Sequence, residues 1–111
     1  MKIFVDTNVL VYAYDRAAGP KYEKALQTVK KLWADGNGVL STQVLQEFYV
    51  NVRRKARNPV SNKQARDLIA DYAAWAPVAN DTALALQAIE VENRYKLSFW
   101  DAMIVAAAQK S

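Results

Sequence analysis

The sequence contains no cysteine and no histidine. The first absence excludes a disulfide framework and a thiolate zinc site. The second removes the usual general base, the serine–histidine nucleophile pair and imidazole metal ligands. Any catalysis must rest on carboxylates, lysine, hydroxyls or a bound ion. Three glycines and three prolines in 111 residues form no linker, repeat or low-complexity tract. No apolar run approaches the roughly 20 residues of a membrane span. The apolar start Met1-Lys2-Ile3-Phe4-Val5 is too brief for a signal peptide and meets Asp6 at once. The expectation is a soluble, cytoplasmic protein.

The hydrophobic fraction is 52%, which argues against a disordered tail. A chain of 111 residues fits one domain, residues 1–111, with a core of its own. Fifteen Lys and Arg against eleven Asp and Glu give a net charge of +4. That excess is compatible with an anionic polymer as partner, although many proteins carry it for solubility alone.

Lys2 to Val5 reads as a short buried strand, and Thr7 to Tyr14 as a helix capped by Thr7 or Asn8. Gly19-Pro20 breaks the chain. From Lys21, the residues Tyr22, Ala25, Leu26, Val29, Leu32 and Trp33 keep one helical face until Gly36-Asn37-Gly38 ends it. Val39-Leu40 reads as a second strand. Thr42 opens a helix with the stripe Val44, Leu45, Phe48 and Val52, stopped by Asn58-Pro59. Ser61 to Gln64 is a capping-box pattern for a helix packed through Ala65, Leu68, Ile69 and Tyr72. Trp75 to Val78 is a weak third strand. Asp81 caps a helix with the stripe Leu84, Ala88, Val91 and Tyr95, and Ser98 opens the last helix. Strands alternating with helices predict an α/β fold with a central parallel sheet covered on its faces.

Most acids, Asp15 among them, are expected in turns or on polar helix faces, and Asp81 as a cap. Three stand apart. Asp6 follows the first strand, at the end where parallel α/β sheets bind ligands. Its bland alternative is a helix cap, and alone that alternative is the stronger. Glu47 flanks its helix stripe, with Asn51 and Arg54 continuing its line at i+4 and i+7. Alone, it is an ordinary boundary glutamate. Asp101 is the only ionisable residue between Phe99 and Ala108. A helix apolar all round is normally buried, so Asp101 is expected to be buried and compensated. Its alternative is a capping residue three positions after Ser98. Carboxylates brought together repel unless a cation neutralises them, and magnesium or manganese suits an all-oxygen set. Such an ion lets a protein without histidine hydrolyse a phosphodiester. Arg53, Arg54, Lys55 and Arg57 form a basic stretch, followed by Lys63 and Arg66. It is either a solvated helix end or a contact for a nucleic-acid backbone.

Residues 3–10 (Ile-Phe-Val-Asp-Thr-Asn-Val-Leu), Gln-Glu-Phe-Tyr around Glu47 and Leu-Ser-Phe-Trp-Asp-Ala around Asp101 resemble a PIN domain. The closest resemblance is to the toxin ribonucleases of VapBC-type toxin–antitoxin pairs. It runs the length of the chain with the segments in the right order. It implies a three-layer α/β/α fold and cleavage of RNA with Mg²⁺ or Mn²⁺. It also implies Asp6, Glu47 and Asp101 as metal ligands and catalytic residues, with Thr7, Asn8 and Ser98 lining or supporting the site. Asn51, Arg53, Arg54 and Arg57 would position RNA. A small antitoxin is the implied partner, and dimers are common in the family. PIN domains usually continue into a further strand and a fourth acid, whereas this chain stops at Lys110-Ser111. The expectation is a shortened version with its last strand missing and the strand of Asp6 at a sheet edge. Two alternatives remain. One is a shortened, non-catalytic domain that binds an antitoxin, RNA or its own copy. The other is an Asp-x-Asp phosphatase, which is disfavoured because Asn8 stands where the second acid belongs.

Overall fold

A computed structural model describes residues 1–54 and 59–111 of the chain. Strand β1 (Ile3–Phe4) lies parallel to β2 (Gly38–Val39), with Ile3 opposite Gly38 and Phe4 opposite Val39. Backbone bonds from Ile3 N to Asn37 O (2.9 Å) and from Val5 N to Val39 O (2.8 Å) continue the ladder. The second strand is thus one residue earlier than Val39-Leu40. Gly38 admits the Trp75 ring, since a Cβ at this position would come within 2.5 Å of it.

Among the described residues, six α-helices surround this sheet: α1 (Thr7–Ala13), α2 (Pro20–Asp35), α3 (Thr42–Arg54), α4 (Asn62–Tyr72), α5 (Thr82–Tyr95) and α6 (Phe99–Lys110). Their starts obey local chemistry. Asp6 caps α1 through a 2.7 Å bond from Thr7 N, in place of Thr7 or Asn8. Pro20 occupies the first turn of α2, and Gly36 closes that helix at φ 68°. Ser41 Oγ accepts from Val44 N at the start of α3. Ser61 and Gln64 form both bonds of the capping box of α4. Asp81 caps α5 and Ser98 caps α6. The stop expected at Asn58 lies outside the described residues.

The third strand contracts to a single parallel bridge between Ser41 and Val78. Ala73–Trp75 instead makes a 3₁₀ turn, and Ala76 takes a left-handed φ of 50°. Pro77 then has no N–H to donate, so extended pairing resumes only at Val78. Tyr95, expected in the stripe of α5, is exposed, while Leu84, Ala88 and Val91 are buried. Asp15 is buried rather than at the surface, and its Oδ1 accepts from Ala17 N.

Among the described residues, the buried side chains form two clusters. One joins Val5, α1, α2, Leu40, α3 and α4; the other joins α5 and α6 through Leu84, Ala88, Val91, Ala102, Met103, Ala106 and Ala107. Phe4 packs against both, so the sheet carries helices on its two faces. This is the arrangement of an α/β/α fold.

Within the first cluster, Tyr14 and Tyr72 share a 2.8 Å hydroxyl–hydroxyl bond. Burial first, and that bond second, push the Tyr14 hydroxyl far above the ordinary tyrosine range. Burial also raises Tyr72. In the unfolded chain both ionise near pH 10, so the unfolded state binds fewer protons above that point. Their contribution is complete below about pH 10 and is lost as pH rises further. Tyr14→Phe should therefore flatten the alkaline fall in the urea midpoint between about pH 9 and 11. An unchanged slope would show that the pair does not control it.

Candidate nuclease site

Each of the three segments singled out in the sequence delivers its acid to the start or side of a helix. Asp6 sits where β1 gives way to α1, exposed, with Oδ1 engaged by Thr7 N. The buried Thr7 turns its hydroxyl to α3, and Oγ1 donates to Glu47 Oε1 at 2.7 Å. This short, charge-assisted bond ties the first strand's end to the middle of α3. One turn before Glu47, Gln43 is also buried. Its Nε2 lies 3.5 Å from Glu47 Oε2 and donates to Trp100 O at 3.1 Å. Trp100 precedes Asp101 in the first turn of α6, where Asp101 N donates to Ser98 Oγ. A continuous hydrogen-bonded path thus runs from Asp6 through Thr7, Glu47 and Gln43 to the backbone beside Asp101.

One expectation needs correction. Asp101 is exposed rather than buried. Helix α6 buries Ala102, Met103, Ala106 and Ala107 and leaves Trp100 62% exposed, so its uniformly apolar sequence covers only one buried face. Arg53 lies off the line of Glu47, Asn51 and Arg54. Six residues beyond Glu47 is about 240° around a helix. There its guanidinium donates to Tyr49 Oη at 3.0 Å and lies over the Tyr49 ring. Asn62 of α4 donates to the same hydroxyl. Arg54 is exposed and Asn51 half-buried, both on the side of Glu47. Asn8 is exposed, Ser98 serves as the cap, and Arg57 lies outside the described residues.

The donor chemistry of Asp6, Glu47 and Asp101 suits a hard divalent cation, being all carboxylate. Among the described residues, however, no three such side chains stand close enough together to hold one ion. Glu47 is held by its neighbours, whereas Asp6 and Asp101 are exposed and would have to turn towards it.

The sequence reading missed Gln43 and Asn80. Asn80 Nδ2 donates to Gln43 Oε1 at 3.0 Å, and Asn80 N donates to Thr42 Oγ1 at 3.1 Å. The spacing of Gln43, four residues before Glu47, was a usable signal for a shared helix face. Nothing local pointed to Asn80.

The model of the PIN domain matches residues 3–111. The chain belongs to the PIN domain family. No curated protein and no solved structure matches it. PIN domains are generally metal-dependent nucleases, so the acids of this PIN domain fall within a family of hydrolases. Among the described residues, no helix of this PIN domain is long and apolar enough to cross a membrane.

Proposed function

We propose that this PIN domain is a metal-dependent endoribonuclease of the VapC type, the toxin of a toxin–antitoxin pair, with Asp6, Glu47 and Asp101 as ligands of Mg²⁺ or Mn²⁺. The observation that carries it is the path Thr7–Glu47–Gln43–Trp100, which brings the three acid-bearing segments to one end of the sheet. When bound, the ion supplies charge against the phosphate and the leaving oxygen. The chain's own part is to hold Glu47 through Thr7 and to start α6 beside it. Asn51 and Arg54 line the same face of α3 for the RNA. The antitoxin would cover the site, and a homodimer is the assembly to look for. The test is cleavage of single-stranded RNA with Mg²⁺ or Mn²⁺, with and without chelator. Asp6→Asn should lose about 100-fold or more in rate, since even changes behind a ligand cost about 10- to 100-fold. Cleavage that survives chelation and this substitution rejects the site.

A second function is a binding-only domain that engages an antitoxin, RNA or its own copy. A rise in melting temperature with Mn²⁺, without any cleavage, would support it.

A further inference from the structure

The amide of Gln43 touches both Glu47 and the backbone beside Asp101. It lies on α3, 5% exposed, and bonds to groups outside its own helix at both ends. Its Nε2 lies 3.5 Å from Glu47 Oε2 and 3.1 Å from Trp100 O, the carbonyl next to Asp101. Its Oε1 accepts from Asn80 Nδ2 at 3.0 Å. Asn80 is in turn fixed through its own backbone N–H to Thr42 Oγ1. The orientation of this amide is not arbitrary. Turning it over would set Oε1 against a carboxylate and a carbonyl, two acceptors with no proton between them. It would also set Nε2 against the Asn80 amide N–H. Glu47 and the Trp100 carbonyl, both acceptors, therefore fix which end of Gln43 faces the acids, and Asn80 holds the other end without bonding to any acid.

We infer that Gln43 is the positioning residue that sets Glu47 against the first turn of α6, and that Asn80 anchors the far end of its amide. The inference rests on the nuclease function proposed above, and it adds two residues that act through the ligands. A side chain behind a metal ligand orients that ligand, and its loss weakens metal binding without removing a donor. Gln43→Met keeps the length and removes both polar ends. Asn80→Asp keeps the shape and puts an acceptor against Oε1. Turning the Gln43 amide to meet that acceptor brings Oε1 onto Glu47 and Trp100 O.

The test is Mn²⁺ binding by calorimetry, with the metal-free melting temperature and the kcat/KM split measured on the same proteins. Gln43→Met should weaken Mn²⁺ binding by about 10- to 100-fold and lower kcat more than it raises KM. Asn80→Asp should weaken it in the same direction. The double variant should be no weaker than Gln43→Met alone, because both changes act through one amide. If Gln43→Met does not fold, Asn80→Asp carries the comparison. Variants that melt earlier yet bind Mn²⁺ like the wild type would show a merely structural role and overturn the inference. Additive losses in the double variant would overturn it too. A wild type that neither binds Mn²⁺ nor cleaves RNA removes the nuclease function, and this inference with it. A wild type that does both while the variants match it removes the inference alone.

Discussion

Asp101→Asn is expected to lower metal-supported RNA cleavage by about 100-fold or more while leaving the fold nearly unchanged, again because changes behind a ligand alone cost about 10- to 100-fold. The separation of the two effects is what makes the substitution informative. Asp101 is exposed, and the Ser98 cap uses its backbone N–H, which asparagine keeps. The loss to stability is then chiefly that of a negative charge in the first turn of α6, typically about 0.3–1 kcal/mol. If Asp101 is only a helix-start residue, activity follows the small change in stability. If it is a ligand, activity collapses while the melting temperature barely moves. Measuring both on one preparation decides between the two roles.

The second large effect concerns the floor beneath Glu47. Phe48 is fully buried in the first cluster, with its ring edge-on to Tyr14 at 5.7 Å. Phe48→Ala should cost about 3–5 kcal/mol, the usual range for emptying a buried aromatic site. A domain holds only about 5–15 kcal/mol in total, so the variant should unfold at a much lower urea concentration. Phe48→Leu should lose much less, because it keeps most of the volume. A Phe48→Ala midpoint within error of the wild type would mean that the surrounding helices collapse into the space. Cleavage by the variant, measured below its own transition, reports whether Glu47 keeps its place when the residue beside it is removed.

What the sequence revealed, and what it concealed, follows from the range of the interactions. Helix starts were legible because a cap needs only neighbours: Ser61 with Gln64, Asp81 with Leu84 and Ser98 with Asp101 all behave as their spacing predicts. Asp6 was legible as a cap, and the PIN resemblance rested on the segments around Asp6, Glu47 and Asp101. Asp101 is exposed against expectation, because an apolar sequence sets what a helix could bury, not what is packed against it. The third strand gives way to the 3₁₀ turn of Ala73–Trp75, the left-handed Ala76 and Pro77, which has no N–H to pair. Arg53 was grouped with Arg54 by sequence, whereas α3 turns its guanidinium towards Tyr49. Gln43 shares a helix face with Glu47 at i+4, but Asn80 is not legible, because its bond to Gln43 joins residues 37 positions apart. No local pattern encodes a contact of that range.

The two buried clusters meet at Phe4, and the candidate ligands fall on opposite sides of that seam. Asp6 and Glu47 ride with the first cluster, and Asp101 rides on the α5–α6 hairpin. Regions with separate cores can open separately, each with its own free energy. A ligand gripping all three acids would bind only while the seam is shut, and its binding energy would count directly against hairpin opening. Amide hydrogen exchange along α6 is where that coupling would register, as slower exchange in a helix that the ligand touches only at its first turn.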